Sequence, residues 1–356
     1  MTPRLGSDGT RAGLADRDVT NSSTPVEAPE RARTTTWRLV AGVCFFAVAA
    51  WYAVVTLRSR WSEVADSLAG IGIGRVVAAT LVAAAALYLM SEQWLAILRA
   101  LGLRPPRARS HRLFLVSQLG KYLPGSGWAY AAQVELFRGA RRSTAFVAVL
   151  ISVLLDVLVA IGLGGMVVAA GAEHALPSAL AWSLTVVGLG GLGAVFVAPR
   201  SLGAAVRLVS RLLRRAAAPD PLDPGAVRAA ILVTIASWLL FGGHLWILLG
   251  GVPTGTTALH TLALAVTGFA LAWVVGFVVV IAPAGLGVRE AVLVGVLGSV
   301  LSAGAALALA LVSRFAMVAA DVLLAVGALS VAGITGRRGN VAPVEMSPRP
   351  TTGAGA

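Results

Sequence analysis

Seven ionisable residues stand in or beside strongly apolar runs, and ionisable side chains at membrane depth mark binding or transport sites by default. Arg289 and Glu290 close the stretch APAGLGVRE, residues 282–290, between the apolar runs 258–281 and 291–301. Lys121 precedes a similar interruption, PGSG at 124–127, and Glu135 follows it. Asp156 has about two helical turns or more of apolar residues on either side. Arg314 and Asp321 lie seven residues apart in the last apolar run, so they share one helical face. Lysine meets a lipid phosphate as a compact point charge, and arginine meets it with a bidentate fork. Carboxylates beside them balance charge or carry protons. Structural readings compete with these. Lys121 can snorkel to the headgroups, Arg289 can pair with Glu290 and be neutralised by it when the site is empty, and Arg314 can bind substrate or hold Asp156.

The two interruptions position these charges. Pro283 cannot donate a backbone hydrogen bond, and Gly285 and Gly287 loosen a helix; Pro124, Gly125 and Gly127 do the same in the first half. A break inside a bilayer is tolerated only where protein or a water-filled cavity covers it. Paired Pro/Gly breaks at corresponding places form a faint internal repeat, the sequence pointer to a transport site at the repeat interface.

Composition fixes the class. The 356 residues are 57% hydrophobic and 13% charged, about half the charge of a soluble chain, with a mean hydropathy of +0.83. Several runs reach the ~20 residues of a spanning helix, and they lack the period-2 alternation of a membrane barrel. The reading is an all-α polytopic membrane protein of about 7–8 transmembrane helices, with two broken, re-entrant segments. The net charge of +13 resembles a nucleic-acid signal, but the arginines cluster in loops as the positive-inside rule expects, so no nucleic-acid partner is assigned. Cys44 is the single cysteine, so no intrachain disulfide forms.

In chain order, residues 1–36 are polar and aperiodic and read as a disordered cytoplasmic tail. Residues 37–57 span outward to a loop with Arg58, Arg60, Glu63 and Asp66, and 75–98 return to a basic loop with Arg99, Arg104, Arg107, Arg109 and Arg112. Segment 113–137 has basic residues on both flanks and so enters and leaves on one face, as a re-entrant hairpin. Spans 143–170 and 178–198 follow. Then Arg207, Arg211, Arg214 and Arg215 alternate with Val206, Leu208, Leu212 and Leu213 in a helix that suits anionic headgroups. Pro219, Pro221 and Pro224 end that helix. Spans 227–249 and 257–281 lead to the second break. The run 291–301 is short for a span, and 304–334 closes the membrane domain of residues 37–335, ahead of a disordered tail, 336–356. If the short run crosses, the C-terminus is cytoplasmic; if it is re-entrant, the C-terminus is outside. Arg337 and Arg338 favour the first option.

His244 and His260, near outer span ends, read as interfacial, and the nine tryptophans, among them Trp37, Trp61, Trp94, Trp182 and Trp246, read as membrane belts. No HExxH, cysteine cluster or carboxylate-rich constellation occurs, so neither metal nor cofactor is expected. The GSG at 125–127 lacks the spacing of a catalytic-serine elbow.

GKYLPGSGW, 120–128, and PAGLGVRE, 283–290, resemble the two hallmark breaks of the lysylphosphatidylglycerol synthase transmembrane-region family, the flippase-like domain of multiple peptide resistance factors and of many stand-alone bacterial and archaeal proteins. Arg314 and Asp156 also look like family positions, and the resemblance covers about 37–335. Two departures stand out. Ser152-Val153 replace an acidic–arginine pair, and the sequence ends about twenty residues after the last run, without the aminoacyl-transferase domain. Lipid aminoacylation is therefore not expected. The resemblance implies movement of an anionic, lysylated or polyprenyl-phosphate-linked lipid between leaflets of the cell membrane, without enzymatic chemistry. Lys121, Arg289 and Arg314 would receive the phosphate, and Glu290 and Asp156 would balance it. A membrane glycosyltransferase or synthase is the candidate protein partner. The alternatives are an integral-membrane glycosyltransferase using Glu63 and Asp66, or an accessory scaffold subunit.

Overall fold

A computed structural model of the chain describes residues 61–122, 128–135, 141–212, 222–279, 285 and 287–336. The expected tails, the span 37–57 and the break residues Pro124, Gly125, Gly127 and Pro283 lie outside the described residues, as do Arg337 and Arg338.

The described residues form helices α1 (Trp61–Ala100), α2 (Arg107–Ser117), a 3-10 turn (Gln118–Tyr122), α3 (Trp128–Glu135), α4 (Arg141–Gly165), α5 (Ser178–Val197), α6 (Arg200–Leu212), α7 (Pro224–Leu249), α8 (Ala258–Val278), α9 (Val288–Leu297) and α10 (Ala303–Gly336). Six of these, α1, α4, α5, α7, α8 and α10, are long and apolar enough to cross a membrane. Helices satisfy their own backbone groups, the requirement of a hydrocarbon solvent. Several hydroxyls within them are satisfied too: Thr80, Thr234 and Thr267 donate to the carbonyls of Val76, Ala230 and Ala263 one turn back. Large apolar side chains such as Ile73, Val186 and Phe315 stay exposed on the outer faces of their helices, as lipid contact demands. The chain is a polytopic helical membrane protein.

Residues 61–71, expected as a loop, instead open α1, which is interrupted at Gly72 by a left-handed backbone conformation (φ 68°). Val64 and Ile71 are buried seven residues apart on that first segment, and Gly70 lies against the Gly251 carbonyl, where a Cβ would come within 2.7 Å. α1 and α7 pack along their lengths, and the Ser237 hydroxyl donates to the Ala86 carbonyl at 2.8 Å. α2 and α3, on either side of the first Pro/Gly stretch, pack together, and Gln133 Nε2 donates to Ser117 Oγ at 3.1 Å. His111 fastens α2 to α1, with Nδ1 2.9 Å from Ser91 Oγ and Nε2 3.3 Å from Glu92 Oε1; burial pushes its imidazole below the ordinary histidine range.

Contacts at the helix ends define two ends of the bundle. At one, Asp223 N–H bonds the Ala100 carbonyl at 3.0 Å and Arg228 Nε the Phe196 carbonyl at 3.0 Å, gathering the basic connections. At the other, Gly171 meets His260, and His174 Nε2 lies 2.8 Å from the Gly295 carbonyl. α9 thus runs to the end away from the basic connections, and its ten residues cover about 15 Å, half a bilayer. α10 starts there and returns. The arginine-bearing α6 forms as expected, with Leu202 and Val206 buried against the bundle and Leu208 exposed.

Candidate functional site

The two breaks come together through their flanks. The 3-10 turn before the first break presents Lys121 and Tyr122 to α10. Lys121 Nζ lies 2.7 Å from Asp321 Oδ2 and donates to Oδ1 at 2.9 Å, and the Tyr122 hydroxyl donates to Oδ2 at 2.5 Å. Two helix turns back along the same face, Arg314 Nη1 sits 3.8 Å from Glu290 Oε1. α10 therefore touches both breaks through the two residues whose spacing placed them on one face. Lys121, Arg289, Arg314 and Glu290 line a small cavity of about 40 Å³ here, and Asp321 meets it through Lys121.

Arg289 and Glu290 are adjacent in sequence but diverge. The Glu290 carboxylate turns back onto its own helix and accepts the Gly287 N–H at 2.6 Å, an acid at the positive end of the helix dipole. Gly287, at φ 80°, starts that helix and provides the conformation an L side chain resists. Arg289 goes the other way. It passes between Gly276 of α8 and Gly285 of the break, where a Cβ would lie 2.7 Å from its Cγ and 2.8 Å from its Nε. Its guanidinium stands 5.9 Å from the Trp273 ring, and its Nε is buried without a hydrogen-bond partner among the described residues.

Arg289 lines a larger cavity of about 310 Å³ together with Lys121 and Asp156. Asp156, on α4, is 6% exposed, and its Oδ1 accepts from Gln93 Nε2 at 3.3 Å and Trp238 Nε1 at 3.4 Å. Trp238 meets Trp273 edge to face at 5.1 Å, and Trp273 stacks on Phe277 at 5.0 Å. Gln93 Oε1 and Ser152 Oγ are buried on the same wall without a partner among the described residues.

Several expectations change on this geometry. Glu290 faces Arg314 and its own helix end rather than neutralising Arg289. Asp156 is held by an amide and an indole, not by Arg314. Lys121 is not simply a snorkelling side chain, because Asp321 receives it. His244 is fully buried, not interfacial: its Nδ1 contacts the Phe241 carbonyl and its Nε2 lies 2.8 Å from Ser313 Oγ. Trp94 and Trp238 are core residues, whereas Trp182 and Trp246 keep the exposure of a belt. Gln93, Tyr122, Trp238 and Trp273 were not singled out from the sequence. Gln93 and Tyr122 carried a signal, as polar groups within or beside apolar runs. The two tryptophans carried none beyond their number.

The geometry thus defines a helical membrane protein whose charged residues converge beside a cavity between its helices. Residues 39–325 match the family described as Lysylphosphatidylglycerol synthase TM region, and the chain belongs to that family. A membrane lipid-related role follows from that membership. A search of the curated proteins finds no match to the chain.

Proposed function

We propose that the protein is a flippase-type transporter that moves a phosphate-bearing lipid between the leaflets of the cell membrane. The observation that carries this reading is Arg289: its Nε is buried without a hydrogen-bond partner among the described residues, on the helix that follows the second break, in the lining of a cavity large enough for a headgroup. Burying a cation without a counter-charge in hydrocarbon is costly, and an anionic oxygen offsets that cost. Arg289 is the first phosphate contact. Lys121 and Arg314 already face Asp321 and Glu290, so a phosphate drawn into the cluster competes with carboxylates for them. That exchange of partners loosens α10 from both breaks, a two-state element of the kind alternating access requires. Asp156 balances charge from elsewhere in the same lining. The N-terminus lies in the cytoplasm, with the basic connections inside. A membrane glycosyltransferase or synthase that makes or consumes the lipid is the proposed partner.

The glycosyltransferase alternative rests on Glu63 and Asp66, and Asp66 is an exposed residue of α1 outside the cavity lining. The test is leaflet exchange of fluorescent phosphatidylglycerol and a polyprenyl phosphate in proteoliposomes. Exchange faster than in protein-free vesicles for at least one lipid, cut about tenfold or more by Arg289→Gln, is expected, the size of one lost charge-assisted bond. Exchange no faster than in protein-free vesicles across the panel counts against the reading and favours the scaffold.

A further inference from the structure

We propose that the headgroup admitted to the larger cavity carries several hydroxyls beside its phosphate: Gln93 and Ser152 bond the hydroxyls, Arg289 the phosphate, and Trp238 and Trp273 the C–H face. The inference rests on the reading that this cavity receives a lipid headgroup, and it narrows the class to sugar or polyol phosphates.

Three buried polar atoms without a partner among the described residues line this one cavity: Arg289 Nε, Gln93 Oε1 and Ser152 Oγ. An unpaired buried polar group is costly, so three around one cavity describe what the occupant must supply. Arg289 Nε–H donates and so requires an acceptor, which a phosphate oxygen is. Gln93 has its amide nitrogen committed to Asp156. This fixes the amide orientation and leaves a carbonyl oxygen that requires a donor. Ser152 takes either role, as does a hydroxyl. An occupant must therefore present an anionic oxygen and at least one O–H or N–H donor within the same volume.

The rest of the wall chooses between a hydroxyl and an ammonium. Among the described residues Asp156 is the one carboxylate lining the cavity, and its Oδ1 already accepts two hydrogen bonds. Lys121 and Arg289 line the same space and disfavour another cation. The other polar side chains are neutral: Gln93, Gln118, Gln133, Ser152 and Tyr130. Beside them stand two indoles fixed in orientation, Trp238 by its bond to Asp156 and Trp273 by stacking on Phe277. Neutral amides and hydroxyls together with aromatic rings in one lining match the O–H groups and the C–H face of a sugar or polyol. A cavity of about 310 Å³ lies at the small end of ligand sites, which fits one ring and its phosphate.

The experiment is a tryptophan-fluorescence titration of the whole protein in detergent. The probes are dihexanoyl phosphatidylinositol, geranyl-phosphoryl-mannose, dihexanoyl phosphatidic acid and dihexanoyl phosphatidylethanolamine. Phosphatidylinositol or the prenyl-phosphoryl sugar is expected to bind at least about tenfold more tightly than the last two, about one good hydrogen bond or more. The tighter of the two tells whether a diacyl or a prenyl lipid is the source. Ser152→Ala, which removes a single oxygen, and Gln93→Leu each erode that preference while leaving phosphatidic acid affinity unchanged, whereas Arg289→Gln weakens every probe. Equal affinity for all four, tightest binding of phosphatidylethanolamine, or a preference untouched by Ser152→Ala overturns the inference. Preference without lipid exchange in vesicles would remove the transport reading and leave this one standing. Exchange without preference would do the reverse.

Discussion

Lys121 and Asp321 stand 200 positions apart in sequence and within 2.7 Å in the fold. Removing one member of a buried ion pair leaves the other uncompensated, which costs ~3–5 kcal/mol where burial is complete. The Lys121 side chain keeps 26% exposure, so Lys121→Met is expected to destabilise by about 2 kcal/mol, below that range. The double change Lys121→Met with Asp321→Asn should cost less than the single one, because the stranded carboxylate is gone. Unfolding in detergent measures both, and strict additivity of the two single changes would show that the residues do not act as a pair. At this scale the sequence was half legible. It identified Lys121, Asp156, Arg289, Glu290, Arg314 and Asp321 as charges that apolar surroundings must explain. It could not assign partners, because each partner comes from a distant helix: Glu290 reaches Arg314, not its neighbour Arg289, and Asp156 takes Gln93 and Trp238.

Between helices, small residues decide how closely α4 and α5 approach. A Cβ at Gly188 would come within 2.3 Å of the Gly162 nitrogen and 2.6 Å of the Leu158 carbonyl, and one at Gly165 within 2.5 Å of the Ala181 carbonyl. All three are backbone atoms that cannot swing aside. Such close crossings give transmembrane helices their van der Waals gain. Gly188→Ala is therefore expected to lower stability by about 1–3 kcal/mol, the usual cost of overpacking, read as a lower thermal midpoint; an unchanged midpoint would mean that the helices separate freely. Apolar runs of spanning length made α4, α5, α7, α8 and α10 legible, and the Pro/Gly stretches made the breaks legible. The start of α1 was not, since Ser62, Glu63, Asp66 and Ser67 resemble a loop. The buried pair Val64 and Ile71, at helical spacing, was the signal that could have shown otherwise.

Over the whole molecule, the fold brings the sequence's two interruptions to one place and joins them through α10. α9 covers about half a bilayer from the second break to the end away from the basic connections, and α10 returns from there past Arg314 and then Asp321. Glu290 and Arg314 thus lie about half a bilayer from that end, with Asp321 about two turns further on, and the cavity beside them provides the volume. The class was legible from apolar runs alone. The cavity was not, because its walls come from eight helices and the 3-10 turn. Met317 of α10 lines both the larger cavity and the smaller one among the charges. This makes it the place to block the path without touching a charge. The measurement is leaflet exchange in proteoliposomes carrying Met317→Cys in a Cys44→Ala background, before and after reaction with a sulfonate-bearing thiosulfonate, with the Cys44→Ala protein as control. Exchange that slows at least about tenfold on modification, returns with reductant and is unchanged in the control is the result expected of a headgroup path through this cavity, a barrier rise of one factor of ten or more. Stoichiometric modification with undiminished exchange would contradict it.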